Sequence, residues 1–168
     1  RNLHVTTAEQ FQSVTGKGAY GIVNGEKVLV GSSSWIAELV PIDNELQKII
    51  DSWANEGHSI IVAASNREVI GIISVSDSIR EDAPHTIEQL HQIGIKETVM
   101  LTGDAAPTAN AIAKQLGNIQ VFASLMPQEK LQKIEQLKER SIVAMVGDGI
   151  SDAPALAKAN IGIAMGGA

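Results

Sequence analysis

Residues 145–154 read MVGDGISDAP, a stretch in which two acids and two glycines follow an apolar run. It begins in an apolar run, 142–146, whose length and composition predict a buried strand. The strand ends abruptly at a Gly-Asp-Gly sequence, 147–149, and a second acid, Asp152, follows four residues after Asp148. Glycine permits a sharp exit from a strand and a close approach to the backbone. The stretch therefore predicts a strand that ends in two carboxylates.

Composition narrows the possible functions of the 168-residue chain. Its net charge of −6 and its aromatic content of 3% argue against a nucleic acid partner. It has no cysteine, which excludes a thiolate zinc site, a cysteine nucleophile and a disulfide. No apolar stretch approaches the roughly 20 residues that a membrane-spanning helix needs. The chain starts with Arg1 rather than Met, and we expect it to be part of a longer protein.

Strands and helices are predicted to alternate in the second half. The apolar patterns predict strands at 98–101, 121–123, 142–146 and 161–165, and helices at 87–93, 108–116, 127–137 and 153–159. Alternation of this kind is typical of right-handed crossovers and a parallel sheet. The second half is therefore expected to be a parallel α/β domain.

The first half follows a different pattern. Asn24-Gly25 separates two apolar runs, which predicts a tight hairpin of 21–23 with 26–30. A helix is predicted at 43–56, followed by a strand pair at 59–64 and 69–75. This pattern favours an antiparallel sheet with helices packed on it. We place the boundary near Ser76, which gives domains at 1–76 and 77–168.

The polar clusters of the second half fall where a parallel sheet binds ligands, beyond the carboxyl ends of its strands. They are Asp77, residues 102–104 and residues 148–152, and Lys130 joins them from the start of a helix. Carboxylate oxygens suit a hard cation such as Mg²⁺. A hydroxyl (Thr102) and an ammonium on the same rim suit a phosphoryl group. These clusters predict a magnesium-dependent phosphoryl site.

Each of these residues also has an ordinary structural interpretation. Asp152 could cap the helix that follows it, residues 102–104 could form a simple turn, and Lys130 could be a solvated surface lysine. Taken singly, the ordinary interpretation is the better one for each. Their joint position at successive strand ends favours the phosphoryl site.

Residues 16–21, GKGAYG, match the spacing of a dinucleotide-binding fingerprint. That motif must follow a strand and open a helix, whereas here it leads into the predicted hairpin. We therefore reject the dinucleotide interpretation. Gly16 and Gly18 could still let a base or ribose lie against bare backbone, but a plain glycine loop explains the local sequence equally well.

Several segments resemble P-type ATPases, which belong to the haloacid dehalogenase-like superfamily. Residues 102–104 (TGD), 127–130 (PQEK) and 145–157 (MVGDGISDAPALA) look like the phosphorylation domain of that family. Residues 77–80 look like its hinge. The sequence GKG at 16–18, with VLVG at 28–31, looks like the nucleotide-binding domain of the heavy-metal-transporting class. The resemblance covers almost the whole chain, and its most specific part is the GDGxxDAPAL pattern.

The resemblance implies a role for each matching residue, with ATP and Mg²⁺ as cofactors. Asp148 would be a Mg²⁺ ligand with Asp152 close behind it, Thr102 would contact phosphoryl oxygens, and Lys130 would neutralise them. Gly16 and Gly18 would line the nucleotide pocket. The supporting residues would be Asp77, Gly103, Asp104, Gly147, Gly149 and Ser151, with Asp77 and Asp104 shaping the cleft between the domains.

The chain departs from the family pattern in several places. Ser151 and Ala105 stand where the family usually has Asn. The Asp-Lys-Thr-Gly-Thr segment that carries the phosphorylated Asp does not occur in the sequence, nor does the His-Pro pair of the heavy-metal class. We expect both upstream of Arg1. Because the nucleophile's strand is central in this fold, the strands that end at Thr102 and Asp148 are expected to lack the neighbour between them.

The resemblance implies the cytoplasmic region of an integral membrane pump, coupled through an aspartyl-phosphate to export of a heavy-metal cation. Residues 90–96 and 163–168 look more like the zinc, cadmium and lead branch than the copper branch. The partners would be ATP, the nucleophile segment and the membrane domain of the same protein. Two alternatives stay open: a soluble Mg²⁺-dependent phosphatase of the same superfamily, and a non-catalytic nucleotide-binding module.

Overall fold

A five-stranded antiparallel sheet forms the first half of the chain in a computed structural model that describes residues 5–65, 67–76, 78–148 and 152–165. The strands lie side by side in chain order: β1 Glu9–Val14, β2 Gly18–Val23, β3 Glu26–Ser32, β4 Ser59–Ser65 and β5 Glu68–Val75. Two helices, α1 Ser33–Leu39 and α2 Asn44–Asn55, connect β3 to β4. The antiparallel sheet with helices that the sequence predicted is confirmed.

The hairpin of β2 and β3 turns at Asn24-Gly25, as predicted. Both residues have positive φ angles, 51° and 80°, which is the backbone conformation of the tight turns that match strand twist. Helix α2 also follows the prediction. It begins after Asp43, whose side chain accepts a hydrogen bond from the backbone N–H of Leu46 at 2.8 Å. Gly57 then ends that helix with a φ of 92°.

The core of the first half lies between the sheet and its two helices. Ile36 of α1 and Val62 of β4 are fully buried, and the other buried members are Leu29, Trp35, Val40, Ile50 and Ala64. The sequence prediction missed α1, which spans only 7 residues and is too short to show a helical period. It also missed β1, whose residues are mostly exposed and therefore carry no alternating pattern.

The second half alternates strands and helices, as predicted. In chain order its elements are α3 Ala83–Gln92, β6 Val99–Leu101, α4 Ala106–Leu116, β7 Gln120–Phe122, α5 Pro127–Lys138, β8 Ala144–Gly147, α6 Ala153–Lys158 and β9 Ile161–Ala164. β6 pairs with β7, and β8 pairs with β9, both in parallel. Pro127 lies in the first turn of α5, where its missing N–H costs nothing.

The prediction of a buried strand at 142–146 was partly wrong. The strand begins at Ala144, Ile142 is 83% exposed, and Val146 within the strand is 54% exposed. Within the described ranges β8 pairs only with β9, and β6 only with β7. Each of these two strands therefore has one edge without a strand partner in the described ranges. This arrangement agrees with the expectation that a strand between them is lacking.

None of the helices in the described ranges is long and apolar enough to cross a membrane.

A glycine in β2 yields a testable prediction about stability. Gly18 has a φ of 155°, and a Cβ placed on it would lie 2.2 Å from the backbone oxygen of Val30. Because backbone cannot yield as a flexible side chain can, Gly18→Ala should lower the free energy of unfolding by about 2–4 kcal/mol. Urea denaturation would measure the change.

Gly71 in β5 offers a matched control in the same sheet. A Cβ at this position would meet nothing within 4 Å, and its φ is not positive. Gly71→Ala should therefore change the free energy of unfolding by about 0.5 kcal/mol or less. Equal effects of the two substitutions would contradict the close approach at Gly18.

Candidate functional site

Thr102 and Asp104 form a compact hydrogen-bonded turn directly after β6. The Thr102 hydroxyl donates to Oδ2 of Asp104 at 2.8 Å, and the backbone N–H of Asp104 donates back to Thr102 Oγ1 at 3.1 Å. Both residues are half-buried. The second of these bonds is typical of a simple hydroxyl-stabilised turn. The interpretation of residues 102–104 as a simple turn therefore explains the backbone conformation here. Gly103 is the middle residue of this turn.

Asp104 also joins this turn to the first half of the chain. Its Oδ1 accepts a hydrogen bond from the hydroxyl of Ser59, the first residue of β4, at 2.8 Å. Nearby, the hydroxyl of Thr108 donates to the backbone oxygen of His58 at 2.8 Å, and Thr108 is only 2% exposed. Two hydrogen bonds therefore fasten the start of β4 to the segment after β6.

Lys130 and Asp152 form an ion pair between two helices of the second half. The Nζ atom of Lys130 lies 3.0 Å from Oδ1 of Asp152, and the two side chains are only 21% and 17% exposed. Lys130 is thus not the solvated surface lysine of the ordinary interpretation. Asp152 stands at the N-cap position of α6, but its side chain makes no capping hydrogen bond. The Asp152 side chain therefore does not cap the helix, although the residue stands at the capping position.

Gly147, the last residue of β8, lets the Asp152 carboxylate approach the strand. A Cβ placed on Gly147 would lie 2.9 Å from Oδ2 and 2.8 Å from the Cβ of Asp152. Any larger residue at 147 would push this acid away. Asp148 follows directly after the strand and is exposed. The end of β8 thus brings one acid to the surface and holds another against the backbone.

Three predicted supporting residues, Asp77, Gly149 and Ser151, lie outside the described residues. A hydrogen bond and an ion pair join four of the predicted site residues in two pairs, Thr102 with Asp104 and Lys130 with Asp152.

The two glycines of the predicted nucleotide loop have different surroundings. A Cβ on Gly16 would lie 2.7 Å from Sδ and Cε of Met126, the residue before α5. A Cβ on Gly18 would meet β3 and, at 2.9 Å, the ring of Trp35. Packing within the protein therefore requires glycine at 18. At Gly16 the neighbour is a flexible side chain from the second half of the chain, which can move aside.

A comparison with known families identifies the family of this chain. The profile of the family described as haloacid dehalogenase-like hydrolase matches residues 3–160. The chain belongs to this family. The resemblance to P-type ATPases implied this superfamily.

The relatives of this haloacid dehalogenase-like chain include transporters of cadmium and copper. It is 47% identical over 163 residues to a probable cadmium-transporting ATPase of Alkalihalophilus pseudofirmus, a match that covers 95% of the chain and 22% of the relative. It is 44% identical to a cadmium-transporting ATPase of Staphylococcus aureus, with the same coverage. A copper-exporting P-type ATPase B of Archaeoglobus fulgidus is 40% identical over 99% of the chain and 24% of the relative. The chain thus spans about a quarter or less of these proteins.

Solved structures point to the same group. A zinc-transporting PIB-type ATPase in an E2.Pi state is 37% identical, with a TM-score of 0.55 over 96% of this chain and 26% of that one. The catalytic domain of the CPx-ATPase CopB-B, studied for its conformational changes upon nucleotide binding, has a TM-score of 0.66 at 25% identity, over 94% of this chain and 54% of that one. The mixed α/β architecture is therefore that of a P-type ATPase catalytic domain.

The donor set fits Mg²⁺. The ion takes oxygen ligands and is commonly held by one or two carboxylates together with water and substrate phosphate. Asp148 is exposed at the end of β8, and Asp152 uses Oδ1 for Lys130. Two acids at one strand end can therefore offer oxygen ligands to a cation, while the Lys130 ammonium limits the negative charge that builds up there.

Sequence reasoning missed two contacts of this site. Met126 was not singled out, although it lies against Gly16. Ser59 was read only as part of a strand, although its hydroxyl reaches Asp104. A polar residue at the head of the apolar run 60–64 was the one available signal, and it is weak because strands often begin with serine.

The ion pair gives a second stability prediction. Removal of one partner leaves a largely buried charge alone, so Asp152→Ala should lower the free energy of unfolding by about 2–3 kcal/mol. Lys130→Met in the same protein should recover part of this loss, because it removes the uncompensated ammonium. Thermal unfolding of the single and double variants would measure both effects.

The exposed ion pair of Lys17 with Glu38 is the control. Its atoms lie 3.7 Å apart and its side chains are 43% and 62% exposed. Glu38→Ala should therefore change the stability by well under about 1 kcal/mol. A loss in Asp152→Ala no greater than the loss in Glu38→Ala would contradict the structural importance of the buried pair.

Proposed function

We propose that this chain is the ATP-binding and phosphorylation region of a heavy-metal cation-exporting P-type ATPase, on the cytoplasmic face of a membrane. The observation that carries the proposal is the half-buried Lys130–Asp152 pair at the end of β8. A lysine paired with an acid beside a second, exposed acid is a suitable arrangement for holding a phosphoryl group and its cation. The heavy-metal ATPases among the relatives support the same function.

Each residue would have its own role in binding the phosphoryl group or the cation. Lys130 would neutralise phosphoryl oxygens, Thr102 would donate a hydrogen bond to one of them, and Asp148 and Asp152 would hold Mg²⁺. When bound, Mg²⁺ supplies positive charge that stabilises the phosphoryl group during transfer. Gly103, Gly147, Gly149 and Ser151 would shape the loops that carry these groups. Asp77 and Asp104 would shape the cleft towards the nucleotide.

The nucleotide would lie against the loop at Gly16 and Gly18. The CopB-B catalytic domain, which changes conformation upon nucleotide binding, supports a nucleotide role for this architecture. Because Met126 is flexible, it can leave Gly16 when a base or ribose approaches. ATP bound by residues 1–76 would then present its terminal phosphate to residues 77–168.

A further segment of the same protein would supply the phosphorylated Asp. Within the described ranges β6 and β8 each have one strand neighbour. A strand between them would satisfy their remaining backbone groups and would end beside both Thr102 and Asp148. The membrane domain of the same protein would carry the metal.

The transported cation would be Zn²⁺ or Cd²⁺ rather than copper. Cadmium-transporting relatives reach 44% and 47% identity, whereas the copper-exporting relative of Archaeoglobus fulgidus is 40% identical. The zinc-transporting solved structure is 37% identical. These identities support the zinc, cadmium and lead branch, which residues 90–96 and 163–168 also resemble.

Hydrolysis and binding assays on this chain test the proposal. With Mg²⁺ present, the chain should bind a non-hydrolysable ATP analogue but should turn over neither p-nitrophenyl phosphate nor ATP, because its sequence holds no Asp-Lys-Thr-Gly-Thr segment. Asp148→Ala should weaken the Mg²⁺-dependent part of the binding by about tenfold, since one cation ligand is lost. Calorimetry and phosphate release would measure these quantities.

Asp51→Ala on the exposed surface of α2 is the control, and it should bind the analogue as the unaltered chain does. Turnover that disappears in Asp148→Ala would instead support a soluble phosphatase with its own nucleophile. Absence of any nucleotide binding would contradict the proposal.

A further inference from the structure

Ser59 belongs to the sheet of the first half, yet its hydroxyl contacts the predicted phosphoryl site of the second half. It opens β4, a strand whose next five residues, 60–64, are apolar, and its hydroxyl lies 2.8 Å from Asp104 Oδ1. The contact is held in place because the backbone oxygen of His58 accepts a hydrogen bond from the buried Thr108. The Ser59–Asp104 bond is therefore a supported link between the two halves.

The hydroxyl proton of Thr102 is the second part of the argument. A hydroxyl has one proton to donate, and Thr102 donates it to Asp104 Oδ2 at 2.8 Å. A phosphoryl oxygen only accepts, so Thr102 must redirect that proton in order to contact it. The oxygen atom need not move, because the backbone N–H of Asp104 holds Thr102 Oγ1 at 3.1 Å. Rotation of the O–H bond alone is sufficient.

Redirection of the proton takes a donor away from the Asp104 carboxylate. A half-buried carboxylate that loses a hydrogen-bond donor is destabilised. This cost in free energy weakens the binding of a phosphoryl oxygen by Thr102. Ser59 still donates to Oδ1 of the same carboxylate. Its hydrogen bond also offsets the negative charge of Asp104 when an anion lies beside Thr102. Ser59 therefore lowers the cost of turning Thr102 towards a phosphoryl oxygen.

We propose that Ser59 is a positioning residue that couples the nucleotide-binding half to phosphoryl binding, acting through Asp104 on the proton of Thr102. This inference rests on the proposed function, because it assigns the phosphoryl group to Thr102. The coupling is reciprocal: a phosphoryl group at Thr102 shifts Asp104 towards its bond with Ser59 and so tightens the contact between the halves.

Binding of inorganic phosphate to this chain tests the inference. Phosphorus NMR titration in the presence of Mg²⁺ would compare the unaltered chain with Ser59→Ala, Ser59→Thr and the control Ser13→Ala. Ser59→Ala should raise the phosphate dissociation constant about fivefold, the value of one lost hydrogen bond. Ser59→Thr keeps the hydroxyl and should restore the affinity. Ser13 lies exposed on β1, and its replacement should change nothing.

A double-mutant cycle separates positioning from a merely structural role. If Ser59 acts through the Thr102 proton, Ser59→Ala should have no further effect on phosphate affinity in a Thr102→Val chain. Additive losses, or equal affinities of Ser59→Ala and the unaltered chain, would overturn the inference and leave the proposed function intact. Circular dichroism would verify folding, and Ser59→Cys, similar in size but a weak donor, replaces the alanine variant if that variant unfolds.

Failure of the proposed function would look different. An unaltered chain that binds neither phosphate nor the ATP analogue has no phosphoryl site at Thr102, and that result would overturn both proposals. Binding of the analogue without phosphate binding would overturn the role of Thr102, and the inference about Ser59 with it, while the nucleotide site would stand.

Discussion

The ion pair between Lys130 and Asp152 links two helices of the second half. Lys130 belongs to α5, which follows the β6–β7 pair, whereas Asp152 precedes α6, between β8 and β9. Two charges with 21% and 17% exposure are tolerable only when they face each other. The ion pair, together with the packing of α5 against α6, therefore fixes one parallel pair relative to the other.

A second set of contacts relates the two halves of the chain. Ser59 reaches Asp104, and Met126 lies against Gly16, so each half contributes to the surroundings of the other's predicted site. These contacts add to the packing of α2 against α4, which also joins the two halves.

Local rules explain which predictions from the sequence succeeded. The Asn24-Gly25 turn, the helix capped by Asp43 and the alternation after residue 83 depend on neighbours a few residues apart, and the structure confirms all three. The failures have equally physical causes. α1 is too short for a period, β1 is exposed, and β8 starts at Ala144 because Ile142 lies outside the strand and is 83% exposed.

The sequence predicted the class of fold and the positions of Thr102 and Asp148 directly after strands. It could not decide between a capping Asp152 and an ion-paired one, or between a solvated Lys130 and a buried one. Those outcomes depend on partners that lie far along the chain, 22 residues apart for Lys130 with Asp152 and 45 for Ser59 with Asp104. Only the tertiary structure decides them, because a side chain's partner is chosen by the packing of whole helices and strands, whereas propensity and periodicity describe only its nearest neighbours.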